Sequence, residues 1–319
     1  MSDQSRDNTS RHKAKDEKRT TPRIGLVLSG GGMRGLAHLG VLQVMEEHDV
    51  PVDALAGTSM GGIIAGLYAA GTPLPDLIAF SKKVGIVDVA APDRQWRGLF
   101  GRQKMSRLLT DLLGREDVTF EELSISVSVV AVDVETGEMV VLDKGPLIPA
   151  LVATSAFPIF FSPVHHQGRW LVDGGVLNNL PVDVARQMGV DRVLAVNTPP
   201  SVKLSLEERE QERGLSFRNL GFFGSRTLDW KLPFLIAEAS VGFTIRVINQ
   251  ARIAEYPPDL VLEIDLPNVG VFISDDNAHI IQAGREAALE YLAEITALKA
   301  PLPWWRRRWH ALARRLRER

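Results

Sequence analysis

A serine at a sharp bend between two glycines is the first group in this sequence that could do chemistry. Gly57-Thr58-Ser59-Met60-Gly61-Gly62 follows the short apolar run 52–56 and precedes 63–71, a tightly packed helical stretch. A strand that turns at once into a helix, with serine at the bend and a glycine two residues to either side, is the nucleophile-elbow pattern. Such a bend forces the serine into strained backbone angles, and a side chain at 57 or 61 would collide with the neighbouring strand or helix. It leaves an exposed hydroxyl at a helix N-terminus, where the dipole and free N–H groups favour a developing anion. The plain alternative is a glycine-rich turn whose serine only caps the helix.

A second cluster stands upstream. The apolar strand 23–29 runs into Gly30-Gly31-Gly32-Met33-Arg34-Gly35 and then into a helix over 36–48. Strand, glycine loop and helix build an anion cradle from consecutive backbone N–H groups. The same residues also read G-x-G-x-x-G, with Asp53 at about the spacing of a ribose-binding acid, so a dinucleotide-binding oxidoreductase is a competing reading. Against it, the next strand ends in the Ser59 elbow. Two glycine-rich turns in succession set a nucleophile beside a bank of amides, and the loop at 30–32 then holds an oxyanion, not a pyrophosphate. Arg34, in the first turn of the helix, is open to two readings: a solvated surface arginine, or charge support for an anionic headgroup or for the loop.

The third cluster is Asp173-Gly174-Gly175, at the end of a hairpin around Gln167-Gly168. Its plain reading is a turn acid capping its own backbone.

Elements must bring these clusters together. A helix from Pro73 to about Val84 and another over 104–113 precede a buried strand over 126–134, a hairpin partner over 138–142 and a short helix over 146–155. Beyond Asp173, Pro181 opens a helix to Met188 and 192–197 reads as a further buried strand. Strands alternating with helices predict an α/β sheet with helices on both faces.

Composition narrows the field. Of 319 residues, 45% are hydrophobic and 24% charged, with a net charge of -2, so no global field draws the chain to nucleic acid. Cysteine is absent, which removes disulfides, thiolate metal sites and cysteine nucleophiles; no metal or cofactor is expected. No apolar run approaches a membrane span, and residues 1–23 form a polar tail without a hydrophobic signal core. The expected location is cytoplasmic.

Taken together, glycine loop, elbow and Asp-Gly-Gly resemble the signatures of the patatin-like phospholipase family, in family order. The likeness extends to Asp133-Val134-Glu135-Thr136-Gly137-Glu138, to Thr154-Ser155-Ala156-Phe157-Pro158 with Pro163, and to Asn179-Leu180-Pro181. It covers about residues 24–200 and runs more loosely to about 299. The resemblance implies a three-layer α/β/α sandwich with a mostly parallel central sheet. It also implies a Ser59–Asp173 dyad without histidine, in which Ser59 is the nucleophile, Asp173 the general base, and the amides of Gly30, Gly31, Gly32 and Met60 the oxyanion hole. Arg34, Gly35, Gly57, Gly61, Gly174 and Gly175 support it. The histidines are His12, His38, His48, His165, His166, His279 and His310. Only His279 follows the acid in an ordered region, and it falls within a helical run.

The implied substrate is a phospholipid or related lipid ester; a lipid-binding protein with a vestigial site is the non-catalytic alternative. The expected domain spans 24–300. Charged residues at 201–214 lead into aromatics at 217, 222, 223, 230 and 234, read either as core or as a cap over an acyl channel. A helix over 234–254, a strand over 260–265 and a long helix over 277–298 follow. From 301 to 319, Trp305, Trp309, Leu312 and Leu316 share a helical face among arginines. Residues 304–319 would then lie peripherally on the inner face of an anionic membrane, or pack on the domain.

Overall fold

The computed structural model of the chain describes residues 21–82, 91–92, 100–158, 160–199, 231–267, 269–270, 274 and 276–302. Most of the polar tail, the charged and aromatic stretch before Lys231, and the basic Trp/Arg segment from 303 lie outside the described residues.

Five strands run parallel: β1 (Ile24–Leu28), β2 (Ala54–Thr58), β3 (Ser126–Asp133), β7 (Arg192–Asn197) and β8 (Leu260–Glu263). Two run against them, β4 (Met139–Leu142) and β6 (Arg169–Asp173), while β5 (Val164–His166) lies antiparallel to β6 and so points the same way as the five. The sheet order is β8-β7-β1-β2-β3-β6-β5, with β4 paired to β3. The parallel strands near the centre are buried on both faces, which is why 24–28, 54–58 and 192–197 read as near-continuous apolar runs instead of alternating ones.

Alternate residues feed two cores. Leu26, Leu28, Leu55, Val127 and Val129 meet one layer of helices. That layer includes α1 (Ala37–Glu47), α2 (Met60–Ala69), α3 (Leu74–Ser81), α4 (Gln103–Leu113) and α5 (Leu147–Thr154), joined later by α8 (Asn277–Glu290) and α9 (Leu292–Ala297). Val27, Ala54, Ala56, Val130, Val193 and Ala195 meet the opposite layer, α6 (Val182–Gln187) and the end of α7 (Lys231–Glu255). The result is the expected three-layer sandwich. A separate two-stranded ribbon joins Ala91–Pro92 to Phe100–Gly101.

The C-terminal helices belong to the same core. α8 crosses α1 backbone to backbone: a Cβ on Gly40 would overlap the Ile281 carbonyl, and one on Gly284 the Ala37 carbonyl. The single helix expected over 277–298 is two. Tyr291, with φ -101° and ψ 22°, breaks it, and the turn lets Ile295 and Leu298 fold back onto the core. At its start Asp276 caps the helix, accepting the His279 N–H at 3.0 Å.

Candidate active site

The register of β3 brings the elbow and the acid together. Val130 pairs with Thr58 on one side and Val141 on the other; Ala131 pairs with Asp173 and with Val140. Because β4 occupies one edge of β3 at both positions, β2 and β6 must share the opposite edge. They approach along it from opposite directions and end at adjacent residues of β3. Ser59 follows Thr58, and Asp173 closes β6. Two residues 114 positions apart in the chain (173 less 59) thus meet where two strands abut.

Ser59 sits at φ 54° and ψ -126°, a backbone conformation that residues other than glycine rarely adopt. What holds it there is steric and polar together. A Cβ on Gly57 would come within 2.7 Å of the Gly61 and Gly62 backbone, and one on Gly61 would overlap the Leu28 carbonyl. The helix after the bend therefore packs directly on the strand before it. The Ser59 N–H donates to Thr154 Oγ1 at 3.1 Å, and the Thr154 hydroxyl donates onward to the Val130 carbonyl. Thr154 thus ties the elbow to the β3 residue that sets the register. Nothing in its local sequence signals this; the sequence marks it only as part of a shared motif.

Asp173 is 1% exposed. Its Oδ1 accepts the Gly175 N–H at 2.8 Å, and among the described residues no cation pairs with it. Burial pushes its carboxyl up from 3.8 to about 7, opposed by the nearby Ser59 hydroxyl and the Gly175 amide. The Ser59 interaction falls short of a full hydrogen bond in length or angle, since Oδ2 has no partner among the described residues. That oxygen keeps its capacity to accept a hydrogen bond, near the half-buried Ser59. Gly174 lies against β3, where a Cβ would overlap the Val130 carbonyl.

The glycine loop lies beside Ser59. A Cβ on Gly30 would be 3.1 Å from Ser59 Cβ. Gly30, however, has already committed its amide to the Asn179 carbonyl at 3.0 Å, while Asn179 Nδ2 donates to Gly30 O at 3.2 Å. Gly30 therefore contributes room, not a donor. The amides of Gly31 and Gly32 have no acceptor among the described residues, and Gly32 is turned by a φ of 56°. The first bond within α2 runs from Ile63 N–H to Ser59 O at 3.0 Å, so the Met60 amide also has no acceptor within its helix. Met60 packs over Gly35, where a Cβ would be 2.7 Å from Met60 Cγ.

Arg34 is not a solvated arginine. It is 3% exposed and donates to the Val269 carbonyl at 3.2 Å, pinning the loop to the segment after β8. His38, fully buried, bonds through Nε2 to the Ser29 carbonyl at 2.8 Å, and burial lowers its pKa to about 4. It is held neutral and braces the loop's entry. No histidine among the described residues bonds to Ser59 or Asp173, and His279 is exposed on α8. A separate cavity of about 360 Å³, lined by Met139, Leu142, His166 and Arg169 among others, reaches neither Ser59 nor Asp173.

Asp53 decides against the dinucleotide geometry. Its carboxylate accepts the Ile24 N–H at 2.8 Å, before β2 begins, at the sheet edge opposite the glycine loop. A ribose acid belongs at the other end of that strand.

The family model for patatin-like phospholipases matches residues 26–186, just over half of the chain. The chain belongs to the patatin-like phospholipase family. Among curated proteins it is 33% identical over 181 residues to an uncharacterized NTE family protein of Mycobacterium tuberculosis, covering 56% of this chain and 49% of that one. It is 30% identical over 188 residues to the lysophospholipase NTE1 of Candida albicans, covering 54% of this chain and 13% of that one. The chain thus spans about half the length, or less, of these relatives. The crystal structure of VipD from Legionella pneumophila superposes with a TM-score of 0.54 at 14% identity, over 86% of this chain and 67% of that chain. The shared fold of this patatin-like protein therefore reaches well beyond residue 186.

Proposed function

We propose that this protein is a serine acyl hydrolase of lipid esters, with Ser59 as nucleophile and Asp173 as its base. The observation that carries the reading is the buried, cation-free carboxylate of Asp173, with one oxygen unpartnered, beside a serine at φ 54°. A carboxyl with a pKa of about 7 is far better matched to proton transfer at neutral pH than an exposed one at ~3.9.

Asp173 Oδ2 takes the Ser59 hydroxyl proton as Oγ attacks the ester carbonyl carbon. The carbonyl π pair moves onto its oxygen, toward the amides of Gly31, Gly32 and Met60. Collapse of the tetrahedral intermediate breaks the bond to the alkoxy oxygen, which leaves with the proton from Asp173. A water then gives Asp173 a proton and attacks the acyl-serine, releasing the fatty acid and returning the proton to Ser59. Loss of one oxyanion donor in such a site typically raises the barrier by about 3 kcal/mol. The Candida relative is a lysophospholipase, which supports a phospholipid-type ester as substrate here.

The test is a fluorophosphonate probe followed by mapping of the modified residue. Labelling on Ser59, lost in Ser59→Ala, is expected. Equal labelling of Ser59→Ala, or no labelling of wild-type protein that hydrolyses esters, overturns the assignment.

A further inference from the structure

α7 does not stop where the sheet stops. Its C-terminal part is anchored: Arg252 Nη1 donates to Asp183 Oδ2 at 3.3 Å, and Asn249 Nδ2 donates to Asn197 Oδ1 at 3.0 Å. Past the helix, the Asp259 N–H donates to the Val193 carbonyl at 2.9 Å, at the opposite end of β7. α7 therefore runs antiparallel to β7 and crosses the strand-end edge at Asn249. Residues 231–248 project beyond that edge, about 27 Å at 1.5 Å per residue. It is the edge that carries the Ser59 mouth. β1 alone separates β7 from β2, so Asn197 lies two strands, about 10 Å, from the elbow.

The projecting part is apolar on its outer face. Ile236, Ser240, Phe243 and Val247 fall on one stripe at helical spacing, and Ile236, Phe243 and Val247 are 45%, 42% and 65% exposed. The hydroxyls on this side are turned inward: Ser240 donates to the Ile236 carbonyl at 2.7 Å and Thr244 to the Ser240 carbonyl at 3.1 Å. On the stripe itself, at 236, 240, 243 and 247, no residue is ionisable. The stripe from Ile236 to Val247 is apolar apart from Ser240, with Arg246 half-exposed on its flank and Gln250 exposed at its inner end. It matches the uncharged acyl region of a lipid layer, in which an exposed apolar helix face is buried parallel to the surface.

We propose that the outer face of α7 from Ile236 to Val247 enters a lipid bilayer surface and seats the Ser59 mouth against it. The proposal rests on the lipid-ester reading of that mouth. It is a docking face distinct from the basic segment at 304–319, and it calls for no anionic lipid.

The experiment uses the full chain, vesicles of zwitterionic phosphatidylcholine, and the soluble ester p-nitrophenyl butyrate. The triple variant Ile236→Ser, Phe243→Ser, Val247→Ser should bind vesicles about tenfold or more weakly than wild type. Hydrolysis of the soluble ester should stay within about twofold, because these side chains do not touch the dyad. The chain has no cysteine, so Val247→Cys carries a polarity-sensitive dye at a unique place. Its emission should shift to the blue on vesicles, and that of Pro51→Cys, at the opposite sheet edge, should not. Unchanged vesicle binding by the triple variant, or no shift at 247, overturns the proposal. So does a wild-type dimer that the substitutions dissociate while vesicle binding is kept, which would make the face a contact between two copies. Vesicle binding through α7 without any soluble-ester hydrolysis would instead sink the catalytic reading and leave the docking face standing.

Discussion

Replacing Asp173 by asparagine should inactivate the protein and stabilise it, and the stabilisation should grow with pH. The folded chain holds a proton on this carboxyl that the unfolded chain has lost, because burial lifts its pKa from 3.8 to about 7. Between those values the native state binds more protons than the unfolded state, so wild-type stability falls as pH rises from about 4 to about 7 and then levels off. At ~1.4 kcal/mol per pH unit the accumulated penalty is on the order of 4 kcal/mol by pH 8.5 and under half of that at pH 5. Asparagine carries no charge to desolvate. Its Oδ1 can keep the 2.8 Å bond from the Gly175 N–H, and its amide nitrogen can donate toward Ser59. Urea denaturation of Asp173→Asn and wild type, followed by tryptophan fluorescence at pH 5 and 8.5, isolates the effect, since other titrating groups cancel in the difference. A gain at pH 8.5 exceeding that at pH 5 by about 2–3 kcal/mol is expected. An equal difference at the two pH values would refute the claim that Asp173 is a desolvated, raised carboxyl.

Ester hydrolysis by wild type should rise with pH and reach a plateau above a midpoint near 7, as Asp173 loses its proton; a profile flat from pH 5 to 9 would count against Asp173 as base. Thr154→Val leaves the Ser59 N–H and Val130 carbonyl without their hydroxyl, so fluorophosphonate labelling of Ser59 should slow by about tenfold or more while the fold survives; equal labelling rates would remove Thr154 from the elbow's support. Ser59→Gly should melt higher than Ser59→Ala, because only glycine relieves a φ of 54°, by ~1 kcal/mol; the reverse order in thermal melts would deny the strain. Gly61→Ala sets a methyl group against the Leu28 backbone and should cost more than about 3 kcal/mol, read as loss of soluble folded protein; a normal melt would mean that α2 can lift off β1 freely.

The parts of this site that could be read from residues alone are those whose demands are local. Glycines two residues either side of Ser59, between an apolar run and a helical stretch, mark a tight bend from neighbours alone, and the strand at 192–197 announces its two buried faces through the apolar run 193–196. The glycine loop was legible for the same reason, but its division of labour was not. Gly30 spends its amide on Asn179, a residue 149 positions away, so nothing near Gly30 distinguishes it from Gly31. Arg34 looked equally suited to solvent, and its burial depends on a partner at Val269. The roles of Thr154, Asn179 and His38 are likewise set by which strand lies beside which. The break at Tyr291 escapes a periodicity reading because the apolar spacing continues across it; only the position of the core shows that the helix must turn.

That β2 and β6 finish head to head on one neighbour has a consequence for how this protein can vary. The spacing of the two strand ends is set by no loop; Thr58 and Asp173 pair with consecutive residues of β3, Val130 and Ala131. Inserting a single residue there would lengthen the ruler and flip its faces, parting the two groups while leaving each perfectly formed. Loops elsewhere can grow or shrink without touching the spacing, whereas a change of count in β3 shifts it.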